Sequence, residues 1–202
     1  MASSQSQADI LDLLRTEDDE IVGLFEEYFS PASLDDHVKR ASIGFQLLDR
    51  LAVQEEAKEE IVQRALADAG EDGLVEQLEA DGLARKRLLA ELDELSAGVS
   101  ARDVHVSNGR RFDEIVRQLR DLTEAQLRRE ADEVVPSVRR VVPPDRLASM
   151  SGDLDRVRRR APTRPRPDGP AHRTPTVVKM ARAAYDRLRD FPDAAHHESR
   201  AK

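Results

Sequence analysis

Seven residues, Asp18, Gln54, Lys58, Gly82, Arg85, Gln126 and Glu130, stand where apolar stripes should continue. Asp18 falls between Leu14 and Ile21; Gln54 and Lys58 fall between Leu51 and Ile61. Gly82 and Arg85 separate Leu78 from Leu88, and Gln126 and Glu130 follow Leu122. The interruptions lie at about the same depth on four helical stripes, so they are expected to meet. A polar layer inside a bundle is unfavourable unless its groups are paired, hydrogen-bonded, hydrated or bound to a metal. Two chemistries answer that requirement. Carboxylates and histidines at one-turn spacing on facing helices hold dinuclear metal sites, whereas a lysine or arginine among carboxylates makes an ion-pair layer. The residue types favour the second, with Lys58 and Arg85 as cations and Asp18 and Glu130 as partners. The competing view of any single position is a long side chain snorkelling to water at a bundle edge.

Other chemistries lack their residues. His37, His105, His172, His196 and His197 sit away from the stripes and read as surface or tail residues, and His196-His197-Glu198 has no rigid helix face to set ligand geometry. Arg156, Arg158, Arg159, Arg160, Arg164 and Arg166 could grip phosphate, but no stacking aromatics are interleaved with them, so no nucleic-acid partner is expected. No glycine-rich phosphate loop follows a strand, and no serine, histidine and acid converge. The absence of cysteine removes disulfides, thiolate metal sites and cysteine nucleophiles. No enzyme is expected.

The elements that must position these residues are helices. The first is expected over Ala8 to Phe29, capped by Ser4 or Ser6 and ended by Pro31. A second begins after Ser33, with a Ser33/Asp36 capping-box spacing, and runs to Gly70. The third covers Gly73 to Leu95, before a loop from Ser96 to Gly109 with a turn at Asn108-Gly109. The fourth runs from Phe112 towards Val134, with Pro136 bending it and Pro143-Pro144 closing it. A shorter helix follows from Asp145 to Arg159. Short links imply antiparallel neighbours, so the expected fold is all-α: an antiparallel up-down-up-down four-helix bundle over residues 1–160. Five of the ten prolines fall between Pro162 and Pro175. That composition predicts a flexible linker over 161–175, before an amphipathic tail helix and disordered end over 176–202.

Composition agrees. The 202-residue chain is 36% charged and 3% aromatic, which suits long amphipathic helices rather than sheets. Its net charge of −8 is unevenly spread: residues 151–202 hold 13 Lys and Arg against 7 Asp and Glu, leaving −14 on residues 1–150. A basic tail either folds back on the acidic body or meets a protein partner. The N-terminus lacks the pattern of a signal peptide and no apolar run approaches a bilayer span, so a cytoplasmic location without membrane contact is expected. The oligomeric state is not set by the sequence.

Four segments together resemble the hemerythrin-like, or HHE cation-binding, domain found in many actinobacterial proteins. LLRTEDDEIVGLF from Leu13 to Phe25 is similar to the family's first helix, with Glu17-Asp18 where Asp-His belongs. VQEEAKEEIVQRAL from Val53 to Leu66 has the cadence of the second, with Gln54 for histidine and Lys58 for the ligand glutamate, while Glu59 and Glu60 survive. LVEQLEADGLARKRLLAEL resembles the third, with Gly82 at the histidine position and Asp81 its nearest substitute. AQLRREADEVVPSV resembles the fourth, with Gln126 for histidine and Glu130 and Pro136 retained. APTRPRP from Ala161 resembles the proline-rich tails attached to such domains.

The resemblance implies a four-helix bundle around a non-haem di-iron site. Of its ligand positions, only Glu130 keeps the family identity, and no nitrogen donor remains. No metal ligands and no cofactor are therefore expected, and the role implied is structural, regulatory or partner-binding. The alternative is a remodelled carboxylate site at Asp18, Asp81, Glu59 and Glu130 that binds iron and senses or handles oxygen, oxidants or iron.

Overall fold

The computed structural model describes residues 8–97 and 101–160, with side chains for 8–97 and 109–160. The expected Ser4 or Ser6 cap, the 161–175 linker and the 176–202 tail lie outside the described residues, as do the side chain of His105 and all of His172, His196 and His197.

All described elements are helical. Helix α1, Ile10–Tyr28, begins at Asp9 in a reciprocal capping box: the Asp9 carboxylate accepts the backbone N–H groups of Leu11 and Asp12, and the Asp12 carboxylate accepts the N–H of Asp9. Helix α2, Pro31–Leu34, starts from Ser30, so Pro31 opens a turn as well as following α1. A proline suits a first helical turn because its fixed φ is helical and its missing N–H would be unpaired there. The second long helix is therefore capped by Asp36, not Ser33: the Asp36 carboxylate accepts the N–H of Lys39 at 2.9 Å.

That second long helix is one rod in three parts: α3, His37–Ala57, a π-helical segment, Lys58–Gln63, and α4, Arg64–Asp68. It stops at Gly70, whose φ of 78° only glycine adopts without strain. The Gly70 and Glu71 N–H groups return to the carbonyls of Ala67 and Leu66, a Schellman stop. Helix α5, Asp72–Ser96, follows. Helix α6, Ala101–Arg129, corrects the expected loop, because Asn108 and Gly109 lie within it. A mid-helix glycine costs only about 1 kcal/mol, less than the burial of Phe112 and Ile115 just beyond it contributes. A second π-helical segment, Glu130–Val134, leads into α7, Val135–Val141, which carries Pro136 in its first turn. The wider π turn just ahead gives the proline ring room it would lack in a regular helix, so the rod continues past it. Helix α8, Pro144–Arg160, ends the described chain. Among the described residues no helix is long and apolar enough to cross a membrane.

Two apolar clusters form the core. One joins Ile10, Leu11 and Leu14 of α1 to Ile61, Leu66, Leu78, Val134 and Val138, and α8 closes it with Leu147, Met150, Leu154 and Val157. The other joins Ile21, Phe25 and Tyr28 to Leu47, Leu51, Leu89, Leu92, Phe112, Ile115 and Leu119. Helix α1, the second rod, α5 and α6 with its extension each contribute residues to both clusters. Helix α3 passes close to α6 at Gly44, where an added Cβ would stand 2.6 Å from Phe112 Cζ. Because Phe112 is fully buried, Gly44→Ala is expected to cost about 1–3 kcal/mol of stability. Urea denaturation checks this; an unchanged midpoint would mean the ring can move aside.

Candidate functional site

Every rod changes character between the two apolar clusters. Asp18 lies between Leu14 and Ile21, Arg85 and Lys86 between Leu78 and Leu89, and Gln126 between Leu119 and Val134; Gln54, Glu55, Lys58 and Glu59 lie between Leu51 and Ile61. All these polar residues are buried, and Glu130 is half-buried. Both π-helical segments begin here, one at Lys58 and the other at Glu130. An extra residue in the turn shifts the phase of a helix face. On the second rod Gln54, Glu55 and Lys58 follow Leu51 on a regular α-helical face, and the π turn that starts at Lys58 lets Glu59 join them while Ile61, Val62 and Leu66 return to the core.

Lys58 is the hub. Its ammonium donates to Asp18 Oδ1 at 2.7 Å and to Glu130 Oε1 and Oε2 at 2.8 and 2.9 Å. Gln54 Nε2 donates to the same Asp18 oxygen at 2.6 Å, and Gln126 Nε2 donates to Glu130 Oε1 at 2.5 Å. The two glutamines thus hold the carboxylates in place around the ammonium. Burial works against the charge of Lys58, but Glu130 and Asp18 outweigh it, and the ammonium is held above the ordinary lysine value.

Arg85 is buried here too, but its partner is not Asp18 or Glu130. Its guanidinium grips Glu55 side-on, Nε to Oε1 at 2.7 Å and Nη2 to Oε2 at 3.0 Å. Burial disfavours the charge of Arg85, yet Glu55 keeps it above the usual arginine value. Lys86 adds a third pair, donating to Glu59 Oε2 at 2.7 Å. Gly82 makes room for this arrangement. A Cβ there would stand 3.2 Å from Glu55 Oε2 and 3.3 Å from Glu59 Oε1, so a side chain would crowd both carboxylates.

Glu55 and Lys86 are the members that the stripes did not reveal. A single stripe takes one residue per turn, whereas VQEEAKEE offers adjacent polar pairs and buries both members of each. Asp81 is not among the buried residues. It pairs with Arg129 at the edge, with a side chain 39% exposed. The four carboxylates of the expected remodelled site therefore face three different cations: Lys58 for Asp18 and Glu130, Lys86 for Glu59, Arg129 for Asp81. Among the described residues no three histidine, cysteine or acidic side chains are grouped as a metal ion would need. The donor set fits a protein ammonium better than a metal.

No family model, curated protein or solved structure matches the chain. Of the arginine run, Arg156 pairs with Asp153 and Arg158 with Asp155 and Glu17. Arg164 and Arg166 lie outside the described residues.

The layer holds Asp18, Glu55, Glu59 and Glu130 against Lys58, Arg85 and Lys86, one negative charge in excess. The surplus falls where one lysine serves two carboxylates. Burial, opposed by Lys58 and reinforced by Glu130, pushes the Asp18 carboxyl up to about 6 from an ordinary 3.8. Because the folded chain then holds a proton that the unfolded chain releases, this group favours folding at low pH. Its contribution is lost as pH rises from about 4 through 6, by about 2–3 kcal/mol. Relative to Asp18→Asn, the parent should lose that much stability between pH 4.5 and 7.5 in urea unfolding. A difference that stays constant or grows with pH would show that Lys58 keeps Asp18 ionised throughout.

Proposed function

We propose that this chain is a hemerythrin-like, antiparallel up-down-up-down four-helix bundle in which an internal ion-pair layer takes the place of a di-iron site. Its role is structural, regulatory or partner-binding rather than catalytic. The observation that carries this reading is the position of the Lys58 ammonium, within 2.9 Å of three carboxylate oxygens on two other rods. A cation covalently tied to the chain offsets one of the two charges of Asp18 and Glu130 and bridges them without an exchangeable metal. The alternating passage of the four rods between the two apolar clusters supports the up-down order. Gly82 and Gln126, at positions where the resemblance implies histidines, bring no nitrogen ligand to the layer. A protein partner would bind through the basic C-terminal segment, and neither nucleic acid nor membrane is part of this reading.

Metal analysis of protein produced with abundant iron tests it. The expected result is substoichiometric iron and no oxo-iron absorption. Two irons per chain would replace this reading with the remodelled, metal-binding one.

A further inference from the structure

A cavity of about 440 Å³ lies against the charge layer, between α1 and the rod that carries Gln126, Glu130 and Val134. This is the size of a pocket for a small organic molecule. Leu11, Leu14, Val62, Leu78, Leu127 and Val134 supply apolar wall, and Asp18, Glu55, Lys58, Gln63, Arg85 and Glu130 supply its polar side. Gln63 is 4% exposed and its amide oxygen accepts no hydrogen bond. A buried, unpaired amide oxygen is costly to leave unsatisfied, so a donor that reached it would be favoured.

The charges choose the kind of donor. The Lys58 ammonium is already committed to three carboxylate oxygens, and Arg85 to both oxygens of Glu55. Each of these cations is offset by the carboxylates it holds, and the layer as a whole carries one surplus negative charge, which disfavours an anion. Both hydrogen bonds to Asp18 fall on Oδ1, so Oδ2 can accept another.

From this juxtaposition we infer that the cavity binds a small amphipathic molecule with a protonated amine head. Its apolar body lies along the leucine and valine wall, and its ammonium donates to Asp18 Oδ2, with Gln63 Oε1 reached only when that side chain turns toward the cavity. This inference rests on the ion-pair layer of the proposed reading, though not on the hemerythrin-like resemblance.

Hexylamine, hexanol and hexanoate share one apolar body and differ in the head, so titrating each into the full chain by calorimetry at pH 7 tests the inference. Hexylamine is expected to bind about tenfold or more tightly than hexanol, and hexanoate not measurably. Ala131 lines the cavity yet is exposed, so Ala131→Trp should obstruct it and weaken hexylamine about tenfold or more. The melting temperature of the unliganded variant verifies that it folds. Asp18→Asn should bring hexylamine down to the level of hexanol. Absence of hexylamine binding, equal binding of amine and alcohol, preference for hexanoate, or binding indifferent to Ala131→Trp in a folded variant would each overturn the inference. Iron content is a separate readout, so failure here leaves the metal-free reading standing, whereas two irons per chain would occupy the same carboxylates and overturn both.

Discussion

Lys58→Ala is expected to destabilise the folded chain by about 3–5 kcal/mol at pH 7. The loss does not measure the worth of one ion pair. Removing the ammonium leaves Asp18 and Glu130 close together with no cation between them, and the desolvation that Lys58 offset becomes uncompensated. Lys58→Met fills the same space and should be tolerated better, although it leaves the same charges. Combining it with Asp18→Asn and Glu130→Gln removes the surplus charge and should recover most of the loss. Lowering the pH should relieve the single variant, because without the opposing effect of Lys58 the Asp18 carboxyl, already raised by burial, takes up a proton more readily. Urea unfolding of the variants at pH 5 and pH 7 checks all of this. Parent-like unfolding of Lys58→Ala at pH 7 would mean that the ammonium is not held between carboxylates.

Arg85→Ala should be nearly as damaging, about 3–5 kcal/mol, for a related reason. Its guanidinium makes a two-pronged bond to Glu55, and the two side chains are only 4% and 3% exposed. Truncation leaves a buried carboxylate with both oxygens unpaired and also opens space beside the cavity. The pair itself adds little over well-packed apolar groups of the same volume, so Arg85→Met with Glu55→Leu should fall within about 1–2 kcal/mol of the parent or exceed it. Such a result would identify the layer as a feature kept for specificity or for binding rather than for stability. A double variant as unstable as Arg85→Ala alone would indicate that packing around the guanidinium, not charge, dominates.

The helical fold was legible because each rod carries its own period of leucine, isoleucine and valine, and because Gly70 and the Pro143-Pro144 pair mark stops. Local chemistry misled where tertiary burial outweighed it. Asn108-Gly109 has the composition of a turn, yet it lies within α6, which carries Phe112 and Ile115 into the core. Ser33 has the right type and spacing for a cap, but Pro31 starts a helical turn earlier and leaves Asp36 to cap α3.

The polar layer was legible for a different reason. Asp18, Gln54, Lys58, Arg85 and Gln126 each break an apolar stripe, and a break in a stripe survives small errors in helix boundaries. Their pairing was not legible. The partner of Arg85 is Glu55, which a face of helical period places beside Leu51 and Lys58, but spacing alone does not say which carboxylate meets which cation. The π-helical turns at Lys58 and Glu130 change that period, and nothing in the composition of KEEIVQ or EADEV announces them.

The chain offers an internal control for its central feature, since Lys39 is paired only at the surface, with a side chain 42% exposed, while that of Lys58 is 8% exposed. Amine acetylation of the native protein, followed residue by residue with mass spectrometry, compares the two directly. Lys58 should react on the order of 100-fold more slowly than Lys39 and gain normal reactivity in urea, because its ammonium is reached only when the rods open. Equal rates at Lys58 and Lys39 in the folded protein would contradict a lysine held between Asp18 and Glu130 at the centre of the layer.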